Sequence, residues 1–295
     1  MSAVIAGCKV NLGLRVTGVR PDGYHEIDSL FYPLARPCDQ LKLRITETPG
    51  IVVRCEGPAH ATLDENDNTL TRAYAAFAAA AACPTPGLEV TLRKGIPSGA
   101  GLGGGSSDAA ALLRWLNSRA TAPLDAQALA AVALTVGADV PFFLHEGPCR
   151  VRGIGEIVEP VRPDLSGLRL VLVCPDIHVS TQRAFADYDA HMASVEGRES
   201  QNNLTRDQSK ANGTFLSQGR FDADLDNDLE TVVFARHPEL ADIKATLLRC
   251  GATAASMSGS GSSILGLFGR EAIVETQSAT AMLQGENRRV YAHVL

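Results

Sequence analysis

Apolar and polar residues alternate over the first stretch of the chain, residues 4–16. Alternate apolar side chains run from Val4 to Leu14, and Lys9 and Asn11 fall at intervening positions. Because side chains at i and i+2 share one face of a strand, the pattern predicts a strand that buries one face and projects Lys9 and Asn11 together from the other. By itself the pattern favours an exposed edge with a solvated lysine, the usual environment of that residue.

Further along, the apolar pattern switches between the periods of strands and helices. Residues 40–55 are predicted to form a hairpin around Pro49-Gly50. Asp67 or Asn68 suits the cap of a helix over 71–82, and a helix over 125–136 is predicted to end at Gly137. In the second half of the chain, the apolar pattern predicts strands at 168–175, 252–257, 263–268 and 289–294. It also predicts helices from Asn227, over 239–249 and over 270–283.

The alternation of short helices and strands predicts an α+β fold with two lobes. The chain has 295 residues, of which 45% are hydrophobic, so it can bury two cores or one large one. Residues 193–220 are polar and weakly patterned, which predicts a mobile loop and leaves open whether it acts as a lid.

Charge and cysteine content narrow the classes of function. The net charge is −6 and there is no basic block, which argues against a nucleic-acid partner. No apolar run approaches ~20 residues, so we expect no membrane span, and no signal peptide is evident. Seven scattered cysteines without a C-x-x-C pair are typical of reduced thiols, so a cytoplasmic protein is expected.

The stretch from Gly95 to Asn117 carries the strongest chemical signal. Six glycines lie between Gly95 and Gly105, followed by Ser106-Ser107 and an apolar run of helical character. Glycine lets the backbone take positive φ and bring N–H groups against a bulky anion. Ser106 or Ser107 is predicted to cap the following helix, whose N-terminus attracts negative charge. The stretch therefore predicts a phosphate-binding loop.

The residues after the glycines constrain the kind of phosphate loop. No Lys-Ser or Lys-Thr pair occurs there, which excludes a Walker A loop. A G-x-G-x-x-G match is present, but Asp125, at the spacing a dinucleotide fold needs, begins a predicted helix instead of ending a strand. A glycine turn without a ligand is the remaining alternative.

The order of residues in this loop resembles the nucleotide loop of the GHMP kinases. The resemblance implies that the loop wraps the phosphates of ATP and that Asn68 and Lys94 lie near the adenine; Asn68 can also be a plain helix cap. Asp108 stands where some relatives have Asn, and it is expected to turn toward ribose, base or backbone amides. The loop consists of Pro97, Ser98, Gly99, Ala100, Gly101, Leu102, Gly103, Gly104, Gly105, Ser106 and Ser107.

Two segments near the N-terminus narrow the resemblance within that family. These segments, Lys9-x-Asn11-Leu and the later Tyr24-His25 pair, resemble segments of the family member that acts on a cytidine diphosphate-linked methylerythritol. The resemblance implies that Tyr24 and His25 belong to the cytidine pocket and that Asn11 and Thr181 contact the substrate. The alternatives are a partly exposed Tyr-His pair on a strand and a threonine in a surface loop.

Asp139 is the expected general base. The segment Ala138-Asp139-Val140-Pro141 resembles the family's catalytic segment, and an aspartate among apolar residues needs a cationic partner. Lys9 is the predicted partner, which would keep Asp139 ionised and stabilise charge on the attacking oxygen. The alternative is a structural aspartate that caps the turn before Pro141. The loop 258–263 resembles a third family motif, with a plain β-turn as its alternative.

The resemblance implies a two-lobed GHMP kinase fold, with an N-terminal nucleotide-binding lobe of ribosomal S5-like type over 1–155 and a C-terminal α/β substrate lobe over 156–295. It further implies phosphorylation by ATP of the substrate's 2-hydroxyl in the non-mevalonate isoprenoid precursor pathway. Mg²⁺ is expected, with Ser107 as a candidate ligand, and the protein is expected to be a monomer or homodimer. The alternatives are a mevalonate- or sugar-type GHMP kinase and a non-catalytic nucleotide-binding protein of the same fold.

Overall fold

The structure is a computed structural model, and it describes residues 2–56, 64, 67–202, 216–217, 220–221 and 225–295. The first half contains a sheet, three α-helices and a 3₁₀ turn at Pro141–Leu144. Its elements are β1 (Ser2–Val19), β2 (His25–Thr46), β3 (Ile51–Glu56), α1 (Thr69–Ala80), β4 (Gly87–Arg93), α2 (Gly104–Asn117), α3 (Ala126–Val136), β5 (Cys149–Gly153) and β6 (Ile157–Pro160).

The second half is built on a four-stranded antiparallel sheet. Its strands lie in the order β10, β11, β7, β12, and the later helices pack against them. The elements are β7 (Arg169–Pro175), α4 (Thr181–Asn202), β8 (Leu216–Ser217), β9 (Arg220–Phe221), α5 (Glu230–Arg236), α6 (Pro238–Arg249), β10 (Ala254–Met257), β11 (Ile264–Phe268), α7 (Ile273–Leu283) and β12 (Arg288–Val294).

The first sheet has the strand order β3, β4, β2, β5, β6, and β1 pairs with β2 along nearly its whole length. The predicted strand at 4–16 is confirmed as part of β1, whose alternate apolar residues are buried. The helices α1, α2 and α3 share one apolar core with this sheet, with Leu41, Val90 and Leu112 fully buried in it. The predicted helices at 71–82 and 125–136 form within two residues of their expected bounds. Packing of their apolar faces against the sheet stabilises them.

The predicted hairpin over 40–55 is wrong. Both strands form, but β4 lies between them, pairing antiparallel with β2 and parallel with β3. Gln40 to Thr46 therefore pair with Gly87 to Arg93, a strand that lies 41 to 53 residues further along the chain. The turn residues Pro49-Gly50 signal a reversal of the chain, but they do not specify which strand fills the neighbouring position.

Two other local expectations need correction. The predicted loop at 193–220 is helical up to Asn202, because α4 extends to that residue; 203–215 and 218–219 lie outside the described residues. The helix expected from Asn227 begins at Glu230. The strands at 168–175, 252–257, 263–268 and 289–294 and the helices at 239–249 and 270–283 are confirmed, with bounds shifted by no more than three residues.

A separate apolar core joins the two halves. It combines β1 and β2 residues such as Val10 and Leu30 with β7 and β11 residues such as Leu172 and Leu265. The first sheet also extends past residue 155, because β6 pairs with β5. The division into lobes at 155 and 156 stays a prediction. Within the described residues, no helix has both the length and the apolar character needed to cross a bilayer.

Candidate active site

A cleft of about 1140 Å³ lies between the two lobes. It is lined by residues from both halves of the chain, including the glycine loop 97–105 and the second loop, Gly259–Gly261. Of the residues singled out from the sequence, all but Ser107 line this cleft. Residues that are far apart in the chain thus converge: Lys9, Asn11, Tyr24, His25, Asn68, Lys94, Pro97, Ser98, Gly99, Ala100, Gly101, Leu102, Gly103, Gly104, Gly105, Ser106, Asp108, Asp139 and Thr181.

Lys9 projects from β1 into the cleft and is buried. Its Nζ donates a 2.6 Å hydrogen bond to Oδ1 of Asn11, and it lies 4.5 Å from the ring centroid of Phe31. Asn11 in turn donates through Nδ2 to the Ser29 hydroxyl at 2.9 Å, and that hydroxyl donates to the Gly13 carbonyl at 2.6 Å. Lys9 is therefore not the solvated lysine that the strand pattern alone favours.

Asp139 lies opposite Lys9, in the segment that joins α3 to the 3₁₀ turn. Its Oδ2 is 3.7 Å from Nζ of Lys9, and about a third of its side chain is exposed (32%). Burial lowers the pKa of Lys9, and the Asp139 carboxylate opposes that shift. The pair thus combines a buried ammonium with a carboxylate that is open to the cleft, the arrangement a proton acceptor beside developing negative charge requires.

The glycine loop leads directly into α2. Gly99, Gly101 and Gly103 have φ of 65°, 72° and 69°, a region that favours glycine. The predicted serine cap is wrong, because Gly103 is the N-cap and Ser106 and Ser107 lie in the first turn. Glycine at this position places no capping side chain over the first N–H groups of the helix. The N–H groups of the first turn have no carbonyl partner within the helix, so they can bind an anion.

A second loop, at 258–263, packs against the glycine loop. The Ser258 hydroxyl donates to the Gly101 carbonyl at 3.0 Å and accepts from the backbone N–H of Asn11 at 3.1 Å. The backbone N–H of Ser263 donates to the Ala100 carbonyl at 3.2 Å. This loop is therefore more than a plain β-turn, since its hydrogen bonds connect β1 and the glycine loop to the second lobe.

Asn227 positions this second loop, a role that sequence reasoning missed. Its Nδ2 donates to the carbonyls of Met257 and Gly259, each at 2.7 Å. Glu230 accepts from the backbone N–H of Met257 at 2.8 Å and pairs with Lys244 at 2.5 Å. The only sequence signal is the segment 227–230, which by itself indicates no more than a helix start.

Lys94 forms a buried cluster with two aspartates. Its Nζ donates to Asp39 and, at 2.9 Å, to Oδ2 of Asp108. Asp39 also accepts from the backbone N–H groups of Gly95 and Ile96, at 2.6 and 2.8 Å. Asp108 therefore turns toward Lys94, and not toward ribose, base or backbone amides as expected. Sequence reasoning missed Asp39, which carries no local motif.

The titration of this cluster is governed by its burial. Burial raises the pKa of Asp108 to about 8, against the opposing effect of Lys94 and with a smaller contribution from Asp39. Burial would lower the pKa of Lys94, but the carboxylates of Asp108 and Asp39 outweigh it, and the pKa is raised. The second carboxylate oxygen of Asp108, Oδ1, is buried without a hydrogen-bond partner. Asp108 is thus a carboxyl group that holds its proton more tightly than a solvated aspartate.

Residues of α4 and of the start of β2 line the cleft together. His25 stacks on Phe185 with ring centroids 4.5 Å apart, whereas Tyr24 is exposed. The Thr181 hydroxyl lies 2.8 Å from that of Ser260. Asn68 caps α1 by accepting from the backbone N–H groups of residues 70 and 71, so its role as a helix cap is confirmed. Phe185 is a further lining residue that sequence reasoning missed.

No group of three or more metal-ligating His, Cys, Asp or Glu side chains occurs within the part of the chain that the structure describes. Ser107, the candidate magnesium ligand, is buried in the first turn of α2, while its neighbour Ser106 lines the cleft. This donor set suits an ion that is held mainly by phosphate oxygens and water, as Mg²⁺ often is.

Comparison with known proteins gives consistent matches along the whole chain. The family described as GHMP kinases N terminal domain matches residues 68–147, and that described as GHMP kinases C terminal matches 212–279. The chain is 46% identical over 297 residues to the 4-diphosphocytidyl-2-C-methyl-D-erythritol kinase of Nitratidesulfovibrio vulgaris strain DP4, covering 98% of this chain and 97% of the relative. It is 47% identical over 289 residues to the enzyme of that name from Solidesulfovibrio magneticus, covering 96% and 93%.

Solved structures show the same relationship. A crystal structure of 4-(cytidine 5'-diphospho)-2C-methyl-D-erythritol kinase matches with a TM-score of 0.73 and 32% identity, covering 99% of this chain and 98% of the other. A homoserine kinase from Cytophaga hutchinsonii matches with a TM-score of 0.70 at 20% identity, covering 100% and 95%, which shows a shared fold.

Proposed function

The chain belongs to the 4-diphosphocytidyl-2-C-methyl-D-erythritol kinase family of the GHMP kinases, and from this premise we propose that it transfers the γ-phosphoryl group of ATP to the 2-hydroxyl of that cytidyl substrate. The two-lobed α+β fold expected from the resemblance is confirmed, and the protein is a small-molecule kinase. The observation that carries the proposed reaction is the Lys9–Asp139 pair, which lies in one cleft with the glycine loop and the Tyr24-His25 pair.

Asp139 and Lys9 share the chemistry at the acceptor hydroxyl. The Asp139 carboxylate takes the hydroxyl proton as the oxygen attacks the γ-phosphorus and the bond from that phosphorus to the ADP oxygen breaks. The Lys9 ammonium stabilises the negative charge on the attacking oxygen. Asn11 fixes the ammonium from the same face of β1 by the 2.6 Å hydrogen bond. Two residues that are 130 positions apart in the chain thus act on one oxygen.

The glycine loop supplies the phosphate site. A kinase of this family uses ATP, and N–H groups at the start of α2, with the dipole of that helix, are suited to its phosphates. Asn68 and Lys94 also line the cleft, and we assign them to the adenosine of ATP. Mg²⁺, when bound, would offset charge on the phosphate oxygens; the Ser106 hydroxyl faces the cleft, and Ser107 stays a candidate ligand.

The part of the cleft that Tyr24 and His25 line is assigned to the cytidyl group. Tyr24 and His25 offer aromatic surface for stacking and ring nitrogens for hydrogen bonding to a base. Thr181 and Asn11 also line the cleft, and Asn11 accepts a hydrogen bond from Lys9, which suits contacts with the diphosphate and the methylerythritol.

The reaction is tested by coupling ADP release to a spectrophotometric assay with purified protein. We expect ADP release that depends on both ATP and the cytidyl diphosphate substrate, with formation of its 2-phosphate. Mevalonate, homoserine and galactose, the acceptors of other GHMP kinases, are expected to give at most background rates. Turnover of one of these acceptors without response to the cytidyl substrate would overturn the proposal.

A further inference from the structure

His178 lies against the tip of the glycine loop. It belongs to the linking segment, residues 176–180, which joins β7 to α4. A Cβ added at Gly99 would lie 2.2 Å from Nδ1 and 2.5 Å from Cε1 of His178, and the three nearest atoms outside the loop all belong to this imidazole. The ring therefore occupies the space of a side chain at residue 99. Because glycine has no Cβ, the loop and the ring can approach this closely.

The rest of the glycine loop is held in a different way. The carbonyls of Ala100 and Gly101 accept hydrogen bonds from the second loop, and that of Leu102 accepts from the backbone N–H of Lys9 at 3.0 Å. Within the part of the chain that the structure describes, no hydrogen bond joins residues 97–99 to another segment. The tip of the loop thus depends on its contact with the His178 ring.

The linking segment is itself attached to the second loop on both sides of His178. The Ser262 hydroxyl donates to the Ile177 carbonyl at 2.5 Å, and the hydroxyls of Thr181 and Ser260 lie 2.8 Å apart. Thr181 follows His178 by three residues and lines the cleft. The glycine loop, the second loop and the linking segment therefore contact each other pairwise, and a shift of one is opposed by the other two.

We propose that His178 is a positioning residue that holds the tip of the glycine loop to the linking segment, so that ATP and the acceptor substrate bind with positive coupling. This rests on the proposed function, because it takes the glycine loop as the phosphate site and Thr181 as a substrate contact. Among the residues that the structure describes, Gly99 lines the cleft and His178 does not, so His178 acts through Gly99. Phosphates that fix the tip also fix the linking segment before the substrate meets it, and the effect is reciprocal.

The contact is tested by a double-mutant cycle between Gly99 and His178. Gly99→Ala places a methyl group against the imidazole and should weaken the binding of ATP with Mg²⁺, measured by calorimetric titration. His178→Ala removes the ring, and only the strain of the positive φ then remains. The loss of affinity caused by Gly99→Ala should therefore be smaller in His178→Ala than in the wild type by about threefold or more, within the range found for residues in contact.

Gly101 provides the matched control. Its φ of 72° is close to the 65° of Gly99, but a Cβ added there would lie 2.0 Å from the Ser258 carbonyl oxygen. His178→Ala leaves that clash in place, so Gly101→Ala should weaken ATP binding equally with and without His178. An equal effect of Gly99→Ala in both backgrounds would overturn the inference. Relief of Gly101→Ala by His178→Ala would overturn it too, since it would show a general loosening of the loop.

The second measurement is the coupling between the two ligands, and it stands even if Gly99→Ala does not fold. The cytidyl substrate is titrated with and without a saturating non-hydrolysable ATP analogue and Mg²⁺. The wild type should bind the substrate at least about fivefold more tightly with the analogue, and His178→Ala should lose most of this gain. His178→Gln, which keeps a planar group of similar reach, should retain part of the gain. His191→Ala, at an exposed position of α4, should retain all of it.

The outcomes separate this inference from the proposed function. An equal gain in the wild type and His178→Ala would overturn the coupling, as would a wild type that shows no gain. A wild type that neither binds nor phosphorylates the cytidyl substrate defeats the proposed function and the coupling with it. The double-mutant cycle uses ATP as its ligand, so it still decides in that case whether His178 holds the loop.

Discussion

Lys9 shows how a single residue acquires its chemistry from its surroundings. Its ammonium is buried, which lowers its pKa, and Asp139 partly restores it. Asn11, the Asp139 carboxylate and the face of Phe31 surround its Nζ in place of the water it has lost. A compact, positively charged group with little solvent around it interacts more strongly with a developing oxyanion than a solvated lysine does.

Asp139→Asn is expected to abolish turnover while leaving nucleotide binding intact. The amide cannot take the hydroxyl proton, but it keeps the size of the side chain, so kcat should fall by more than about 100-fold. The dissociation constant for ATP should change by no more than a few-fold, measured by calorimetric titration. Asp164→Asn, which removes an exposed carboxylate paired with Arg270, is the control.

This prediction also separates catalysis from binding alone. Asp139→Asn with wild-type kcat would mean that the carboxylate has a structural role, as a cap of the turn before Pro141. A parallel loss of ATP binding would mean that the substitution distorts the phosphate loop, and the role of general base would then lack support.

Asp108→Asn is expected to change how stability depends on pH. Burial raises the pKa of Asp108 to about 8, so between about pH 4 and about pH 8 the folded protein binds a proton that the unfolded chain has lost. The Asp108 contribution to the free energy of unfolding should therefore fall as the pH rises through this window, with a slope approaching about 1.4 kcal/mol per pH unit. The variant cannot ionise and should lack that slope.

The measurement is urea unfolding of the wild type and Asp108→Asn at several pH values across the window. The difference in unfolding free energy, wild type minus variant, should decrease steadily toward alkaline pH. A constant difference would show that Asp108 is ionised in the folded protein throughout. Asp164→Asn, at an exposed carboxylate, should give no such trend.

At the scale of elements, the two glycine-containing loops depend on each other. An added Cβ at Gly101 would lie 2.0 Å from the carbonyl oxygen of Ser258, and one at Gly99 would lie 2.2 Å from Nδ1 of His178. The phosphate loop therefore needs glycine both for its backbone angles and for the close approach of the second lobe. The loop that we propose binds phosphate is thus shaped partly by residues near the other end of the chain.

Gly101→Ala is expected to raise KM for ATP at least about tenfold, because the two loops must separate to make room for the methyl group and the N–H groups move away from the phosphates. Gly50→Ala is the matched control. Gly50 also has a positive φ, 101°, but a Cβ there meets no atom within 4 Å. Both variants should lose stability through backbone strain, and only Gly101→Ala should change KM, measured in the ADP-release assay.

An equal KM for ATP in the two variants would contradict this view of the loop. It would mean that the strain of positive φ, common to both positions, accounts for all effects of the two substitutions. The contact with Ser258 would then not shape the phosphate site.

At the scale of the whole molecule, the lobes share a core and are expected to unfold together. Leu172 of β7 is fully buried in the cluster that also contains Val10 and Leu12 of β1. Trp115, the single tryptophan of the chain, lies in α2 of the first lobe. Its fluorescence therefore reports on the first lobe when the second is perturbed.

Leu172→Ala is expected to lower the free energy of unfolding by about 2–5 kcal/mol, the range for a leucine deleted from a packed core. The loss should appear equally in Trp115 fluorescence and in far-UV circular dichroism during urea unfolding. Val294→Ala, at an exposed position of the same sheet, should leave both curves in place. Separate transitions, with the Trp115 curve unmoved by Leu172→Ala, would show that the lobes fold independently.

Sequence patterns with a local cause were sufficient for much of the fold. Helix α1 was predictable because Asn68 satisfies the free N–H groups at its start, and β1 because alternate side chains share a face. The positive backbone angles of the glycine loop were predictable from its run of glycines, whereas its role as a phosphate site stays a prediction. These features depend on residues that are close in sequence.

The tertiary structure decided what depends on residues far apart in the chain. It placed β4 between β2 and β3, put Asp108 on Lys94 with Asp39, and brought Asp189 to His25. In each case the partner lies more than ten residues away, and which partner a strand or a charge finds depends on how the whole core packs. The sequence by itself determined which groups could do chemistry; only the fold decided which of them meet, because burial removes the water that would otherwise satisfy each group separately.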